Sequence, residues 1–254
     1  MASTLQFHEM KKFIFYFLLS LVITSCSNDN LDQYSLPEIQ PSQSLINELR
    51  SSRKKLNKTY NKENSTVKIQ FHGQSIVYSI KSSRVEATLE GDFSDIDFEI
   101  INTARSGLQV PQLLPLIEED IDGNSDVLFF HAYGGTEAGE LIQYFKYLKD
   151  NFKGDVIIFN HHLSAPDDPE HHLKLTELED KTSAQMEEIA SNYSFGFIDV
   201  RNDWRRFLEL NKEIQPKDIL RDGVHPNENG RLLLEWILME HFIKAINHNS
   251  QPSL

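Results

Sequence analysis

From Val67 onward, short apolar runs alternate with longer segments in which apolar residues recur every three or four positions. Val67, Ile69 and Phe71 alternate with Lys68, Gln70 and His72, the two-residue period of a strand, and the run stops at Gly73-Gln74-Ser75. Further strands are expected at residues 96–101, 126–131, 155–160 and 195–200; the third, Val127-Leu128-Phe129-Phe130, is continuous in apolar residues, as a strand covered on both faces should be. Between them the helical period predicts helices over residues 84–93, 108–121 (with Pro111 in the first turn), 141–148, 178–193, 204–210 and 231–246. This alternation predicts an α/β fold over residues 67–248, a three-layer α/β/α sandwich around a five-stranded, mainly parallel sheet. In such a sheet the loops that follow the strands gather at one edge, where ligands bind. Ser75, Gly107, Thr136 and Asn160 each follow a strand and are expected at that edge.

The first residues have a different pattern. Lys11-Lys12 precede an apolar run over residues 13–23, too short to cross a hydrocarbon core of ~30 Å and of the length of a signal-peptide core. Its end, Ile23-Thr24-Ser25-Cys26, resembles the lipobox of a bacterial lipoprotein signal. That resemblance implies that residues 1–25 are removed, that Cys26 carries the lipid, and that the mature chain is anchored to a bilayer in the bacterial cell envelope. Cys26 is the single cysteine, so no disulfide can form within the chain. Residues 26–66 are rich in Ser, Asn, Lys, Gln and Asp, with one apolar cluster at Leu45, Ile46 and Leu49, and are expected to form a tether with at most a short helix.

The formal charge of −13, with no long run of Lys and Arg, argues against a nucleic-acid partner. Chemistry is suggested first by Asp222-Gly223-Val224-His225, which lies in a turn rich in Gly, Pro and Asn. An aspartate so placed can accept the Nδ1 proton of the histidine and leave Nε2 free as a base. Ser75 lies where the first strand ends, and a serine becomes a useful nucleophile once a base takes its proton. A second cluster, Asn160-His161-His162, Asp167-Asp168 and His171-His172, has the donor types of a divalent metal site. Adjacent histidines diverge, however, and a solvated loop facing the substrate is the plainer reading, with no metal or cofactor required. Trp204, between Asp203 and Arg205, is expected in the core.

Taken together, these residues resemble those of the SGNH, or GDSL-type, esterase and acylhydrolase superfamily. Gly73-Gln74-Ser75 stands where the superfamily has Gly-Asp-Ser, Ser106-Gly107 matches the block that supplies an oxyanion-binding glycine, and Asp222-Gly223-Val224-His225 matches its Asp-x-x-His. Gly134-Gly135-Thr136-Glu137 departs from Gly-x-Asn-Asp, placing a threonine where an oxyanion donor is expected; Thr136, the Asn160 amide, or neither could fill that role, and Thr136 is equally well read as a helix N-cap. The resemblance implies a monomeric esterase in which Ser75 attacks, His225 is the base, Asp222 orients it, and the amides of Ser75 and Gly107 bind the oxyanion. The implied substrate is a small carboxylic ester or an O-acetylated glycan. The alternative is a catalytically weak SGNH-fold protein retained for carbohydrate binding or interaction.

Overall fold

The apolar runs become β1 (Thr66–Gly73), β2 (Asp97–Asn102), β3 (Val127–His131), β4 (Asp155–Phe159) and β5 (Gly196–Ile198), joined in the order β2-β1-β3-β4-β5 with every neighbouring pair parallel. These come from a computed structural model that describes residues 31–59, 66–135 and 139–248. The chain divides into two compact units, residues 1–35 and 36–254; in the first, the described residues form a turn closed by Tyr34 N donating to Leu31 O at 2.9 Å. The second unit holds the sheet. Its helices are α1 (Gln43–Glu48), α2 (Arg50–Thr59), α3 (Ser75–Tyr78), α4 (Ser82–Asp92), α5 (Val110–Leu113), α6 (Ile117–Asp120), α7 (Glu140–Asn151), α8 (Pro169–Tyr193), α9 (Val200–Leu210), α10 (Pro216–Ile219) and α11 (Glu228–Asn247).

Successive side chains of β3 point to opposite faces of the sheet, and both faces are covered. Leu128 and Phe130 enter a core with Val110 and Leu113 of α5, Tyr144 and Phe145 of α7 and Ile189 of α8. Phe129 faces the other way, stacked on Phe71 with ring centroids 4.9 Å apart and edge-on to Phe242 of α11 at 5.8 Å. Burying β3 on both sides selects its unbroken apolar sequence. α11 is apolar around most of its circumference because it packs on Phe129 of the sheet and against α4, α9 and α10.

Three elements differ from the sequence expectation. The helix predicted over residues 108–121 is broken into α5, a 3-10 turn (Leu114–Leu116) and α6, because Pro115 removes an amide donor from the ladder. α8 begins at Pro169 rather than near residue 178: Asp168 caps it by accepting from His171 N at 2.7 Å, and its first turns are exposed, so no apolar stripe marks them. The tether read over residues 26–66 is a correction for its residues 36–59, which belong to the unit that contains the sheet. Leu45, Ile46, Leu49 and Leu56 are buried, and Ser52 anchors α2 to the start of β4 by donating its amide and hydroxyl to Asp155 at 2.7 and 2.5 Å. Fully burying such a leucine or isoleucine contributes about 1.5–3 kcal/mol, enough to hold an otherwise polar segment on the domain.

Candidate active site

Gly73 ends β1 with φ +144°, and a Cβ there would lie 2.0 Å from the carbonyl oxygen of His131, so β1 and β3 close on each other only around a glycine. The chain then turns into α3, of which Ser75 is the first residue. Gln74, between them, is 7% exposed and its amide makes three hydrogen bonds: Oε1 accepts from Tyr133 N at 2.7 Å and Gly134 N at 2.9 Å, while Nε2 donates to Gly134 O at 3.0 Å. An aspartate could accept from the two amides but could not donate to the carbonyl. The glutamine thus stitches the serine turn to the loop after β3, which is itself bound to α5 by Val110 N donating to Gly134 O at 3.1 Å.

The loop after β2 is drawn in from the other side. Arg105 N donates to Gly73 O at 2.9 Å, and the Arg105 guanidinium grips Asp120 with hydrogen bonds of 2.6 and 2.8 Å. Asn102 donates to Val77 O and Ile80 O at 2.9 and 3.1 Å, which fixes the end of α3 against β2. Gly107 follows with φ +82°, and Ser106 lines the same cleft as Ser75 and His225, about 270 Å³ in volume.

Asp222 and His225 lie in a loop pinned at both ends and at its middle. Leu220 and Pro226 form an antiparallel bridge, Arg221 N donates to His225 O at 2.8 Å, and Gly230 lets α11 approach so closely that a Cβ would lie 2.0 Å from Ile219 O. At the middle, Ala165 N donates to Gly223 O and His162 Nε2 to Val224 O, both at 2.7 Å. Gly223 adopts φ +76° against Pro166. Within the loop, Asp222 Oδ1 accepts the amides of Val224 and His225 at 3.1 and 2.7 Å, and Oδ2 lies 2.9 Å from His225 Nδ1. Burial works against the Asp222 carboxylate, but the His225 amide, the His225 ring and the Val224 amide outweigh it and hold the carboxyl down to about 2. An ionised Asp222 accepts the Nδ1 proton and leaves Nε2 as the acceptor, 3.1 Å from Ser75 Oγ.

The structure therefore brings Ser75, His225 and Asp222 into one chain of hydrogen bonds, with Gly107 on the loop bound beside Gly73. Asn160 is not available as an oxyanion donor: its Nδ2 donates to Asp199 at 2.7 Å and its Oδ1 accepts from Arg201 N at 3.0 Å, joining the end of β4 to α9. Thr136 and Cys26 lie outside the described residues. The rings of His161 and His162 pack 4.3 Å apart, but the side chains of the histidine-rich segment turn to separate hydrogen-bond partners. His131 donates to Phe159 O at 3.0 Å, His161 donates to His131 Nε2 at 3.3 Å, and His162 turns to Val224, while His171 and His172 ride on α8. No three acidic, histidine or cysteine side chains are grouped as metal ligands among the described residues. Burial pushes His131 down to about 4 and His162 to about 3, so both are neutral donors. Behind them Arg201 donates to His162 O at 3.0 Å and to the buried Glu179 at 2.6 Å. Trp204 is fully buried, its ring 4.8 Å from that of His162. The roles of Gln74 and His162 left no local trace in the sequence, because their partners are 59 or more residues away.

Neither a family model nor a curated protein matches the chain. Solved structures do. A protein described as a GDSL-like lipase from Parabacteroides merdae superposes with a TM-score of 0.60 at 19% identity, covering 72% of this chain and 100% of its own. A catalytic mutant of an acetylxylan esterase from Geobacillus stearothermophilus gives 0.55 at 16% identity, covering 76% and 100%. A further acetyl xylan esterase gives 0.53 at 17%, covering 68% and 98%. The chain thus has the α/β fold of the SGNH, or GDSL-type, hydrolases, the fold expected from its sequence motifs.

Proposed function

We propose that the protein is a serine esterase that removes an acyl group, most simply acetyl from a carbohydrate, while held in the bacterial envelope by a lipid on Cys26. The observation that carries the reading is the line Ser75 Oγ, His225 Nε2, His225 Nδ1 and Asp222 Oδ2, with steps of 3.1 and 2.9 Å. In the reaction Ser75 Oγ attacks the ester carbonyl as its proton passes to His225 Nε2, and Asp222 stabilises the imidazolium. The oxyanion is met by the amides of Ser75 and Gly107. Collapse breaks the bond to the alcohol oxygen, which takes the proton from His225. Water then attacks the acyl-serine, with His225 as its base, and releases the acid and the free hydroxyl. That two of the proteins sharing the fold are described as acetylxylan esterases favours an acetyl ester on a glycan. Gln74 braces the Ser75 turn, so a glutamine in place of the motif's aspartate does not by itself favour a binding-only role.

The test uses protein lacking residues 1–26 with 4-nitrophenyl acetate and a fluorophosphonate probe, beside Ser75→Ala, His225→Ala and Asp222→Asn. Labelling confined to proteins that keep Ser75, and a fall of kcat by about 10⁴ in Asp222→Asn, are expected if the aspartate sets the tautomer. Equal turnover by the parent and Ser75→Ala would defeat the proposal. Globomycin-sensitive processing and labelling by radioactive palmitate, lost in Cys26→Ala, test the anchor.

A further inference from the structure

The cleft beside Ser75 and His225 is bordered by Arg221 and Arg231, an unusual lining for a chain of net charge −13. Neither guanidinium is saturated. Arg221 is 65% exposed and its Nη2 stands 3.7 Å from Asp222, beyond hydrogen-bond range. Arg231 bonds Glu228 through Nη2, and its Nε, buried beneath the rim of the cleft, has no hydrogen-bond partner. Glu228 cannot neutralise that side, because it also receives Lys81 at 2.9 Å and Arg84. Arg84 is further committed to Glu235 at 2.6 and 3.0 Å. Against the four cations Lys81, Arg84, Arg221 and Arg231 stand the three carboxylates of Glu228, Glu235 and Asp222, so one net positive charge is left on this rim, shared by Arg221 and Arg231. Arg221 also lines the neighbouring cleft formed with Pro166, His172 and Lys217, so it stands on the ridge between two depressions.

Arg221 lies on the loop over residues 220–226 that carries His225, and Arg231 on α11, which follows that loop. His225 returns its proton to the departing alcohol in the proposed reaction, so groups on its side border the alcohol rather than the acyl portion. We infer, resting on the esterase reading, that Arg221 and Arg231 form a subsite for a carboxylate on the alcohol portion of the substrate, as in an O-acylated acidic sugar. Planar forks with free donors suit a carboxylate, and a partly enclosed site weakens the competing water. At about 270 Å³ the cleft has room for one such ring with its acetyl.

The probe pair is 4-acetoxybenzoate and its methyl ester, which differ by one negative charge on the alcohol portion. The expected result is a kcat/KM ratio of acid to methyl ester of about tenfold or more, shrinking with added salt. In Arg221→Gln/Arg231→Gln that ratio falls towards one, whatever the absolute rates. A ratio near one in the parent, or one unchanged in the double variant, overturns the subsite. So does a stronger preference for mono-4-nitrophenyl succinate over 4-nitrophenyl butyrate, which would put the carboxylate on the acyl side. Calorimetric titration of Ser75→Ala with both probes reads the subsite without turnover. If neither ester is cleaved the esterase reading fails alone, and tighter binding of the acid than of the methyl ester, lost in the arginine variant, still upholds the subsite; equal binding ends it.

Discussion

Gln74→Ala removes three hydrogen bonds of 2.7, 2.9 and 3.0 Å at a position that is 7% exposed. The Gly134 carbonyl keeps its bond from Val110 N, but the amides of Tyr133 and Gly134 lose their acceptor, at about 1–3 kcal/mol each if they stay dry. The loop is half-buried, so water reaches part of it, and the lower bound of about 2 kcal/mol is the working figure. For a domain of this size that is a fall in Tm of about 4–8 °C. The Ser75 turn would also lose its brace, so kcat should drop more than KM changes. Thermal melting and 4-nitrophenyl acetate kinetics are read on three variants. Gln74→Met keeps the volume without the hydrogen bonds and should resemble Gln74→Ala. Gln74→Glu retains an acceptor for both amides but sets a carboxylate against Gly134 O, and should fall between. If Gln74→Ala melts within about 2 °C of the parent with unchanged kcat, the brace contributes less than about 1 kcal/mol and the reasoning is wrong.

Gly73→Ala should abolish soluble expression or activity, since its Cβ would lie 2.0 Å from His131 O, a backbone atom that cannot swing away; a soluble, fully active variant would contradict this packing. His162→Phe removes the donor to Val224 O and is expected to lower kcat with KM little altered, while His162→Gln, which can still donate, recovers part of the loss; equal effects on kcat and KM would point elsewhere. Stability should also depend on pH. His72 and His131, pushed down to about 4 by burial, and His162, pushed to about 3, refuse protons that the unfolded chain accepts below its ordinary 6.5. Their contribution is complete above pH 6.5 and declines as the pH falls towards 4 and then 3. Urea midpoints measured at pH 7.5, 6 and 5 should decrease in that order, and a flat series would show that these groups are protonated within the fold.

The strands were legible because burial on both faces leaves an unbroken apolar run, as in Val127-Leu128-Phe129-Phe130. The Ser75 turn and the Asp222–His225 loop were legible because their chemistry is local: a glycine before the serine, and an acid three residues before its histidine. A short helix at Leu45, Ile46 and Leu49 was expected, but the docking of α1 and α2 on the domain was misread as a tether, because a few buried leucines sit among many polar residues and only the partner surface on the sheet gives those leucines a meaning. Asn160 invited the opposite error. It follows a strand at the sheet edge, yet Asp199 and the Arg201 amide, from the segment after β5, claim its side chain. Gln74 looked like a departure from a motif, whereas its extra methylene and its NH₂ group reach a loop that no local pattern could reveal.

The loop that carries Asp222 and His225 is tied through His162 to Arg201 and the buried Glu179, well inside the domain. A loop moored in this way is a poor candidate for a closing flap. The entropy of aligning acid, imidazole and hydroxyl is met once, when the chain folds, and is not charged to each molecule that arrives. If the proposed esterase reaction holds, new ester preferences would arise from the freer side chains at the rim, such as Tyr78 and Arg221, with the moored loop left as it is.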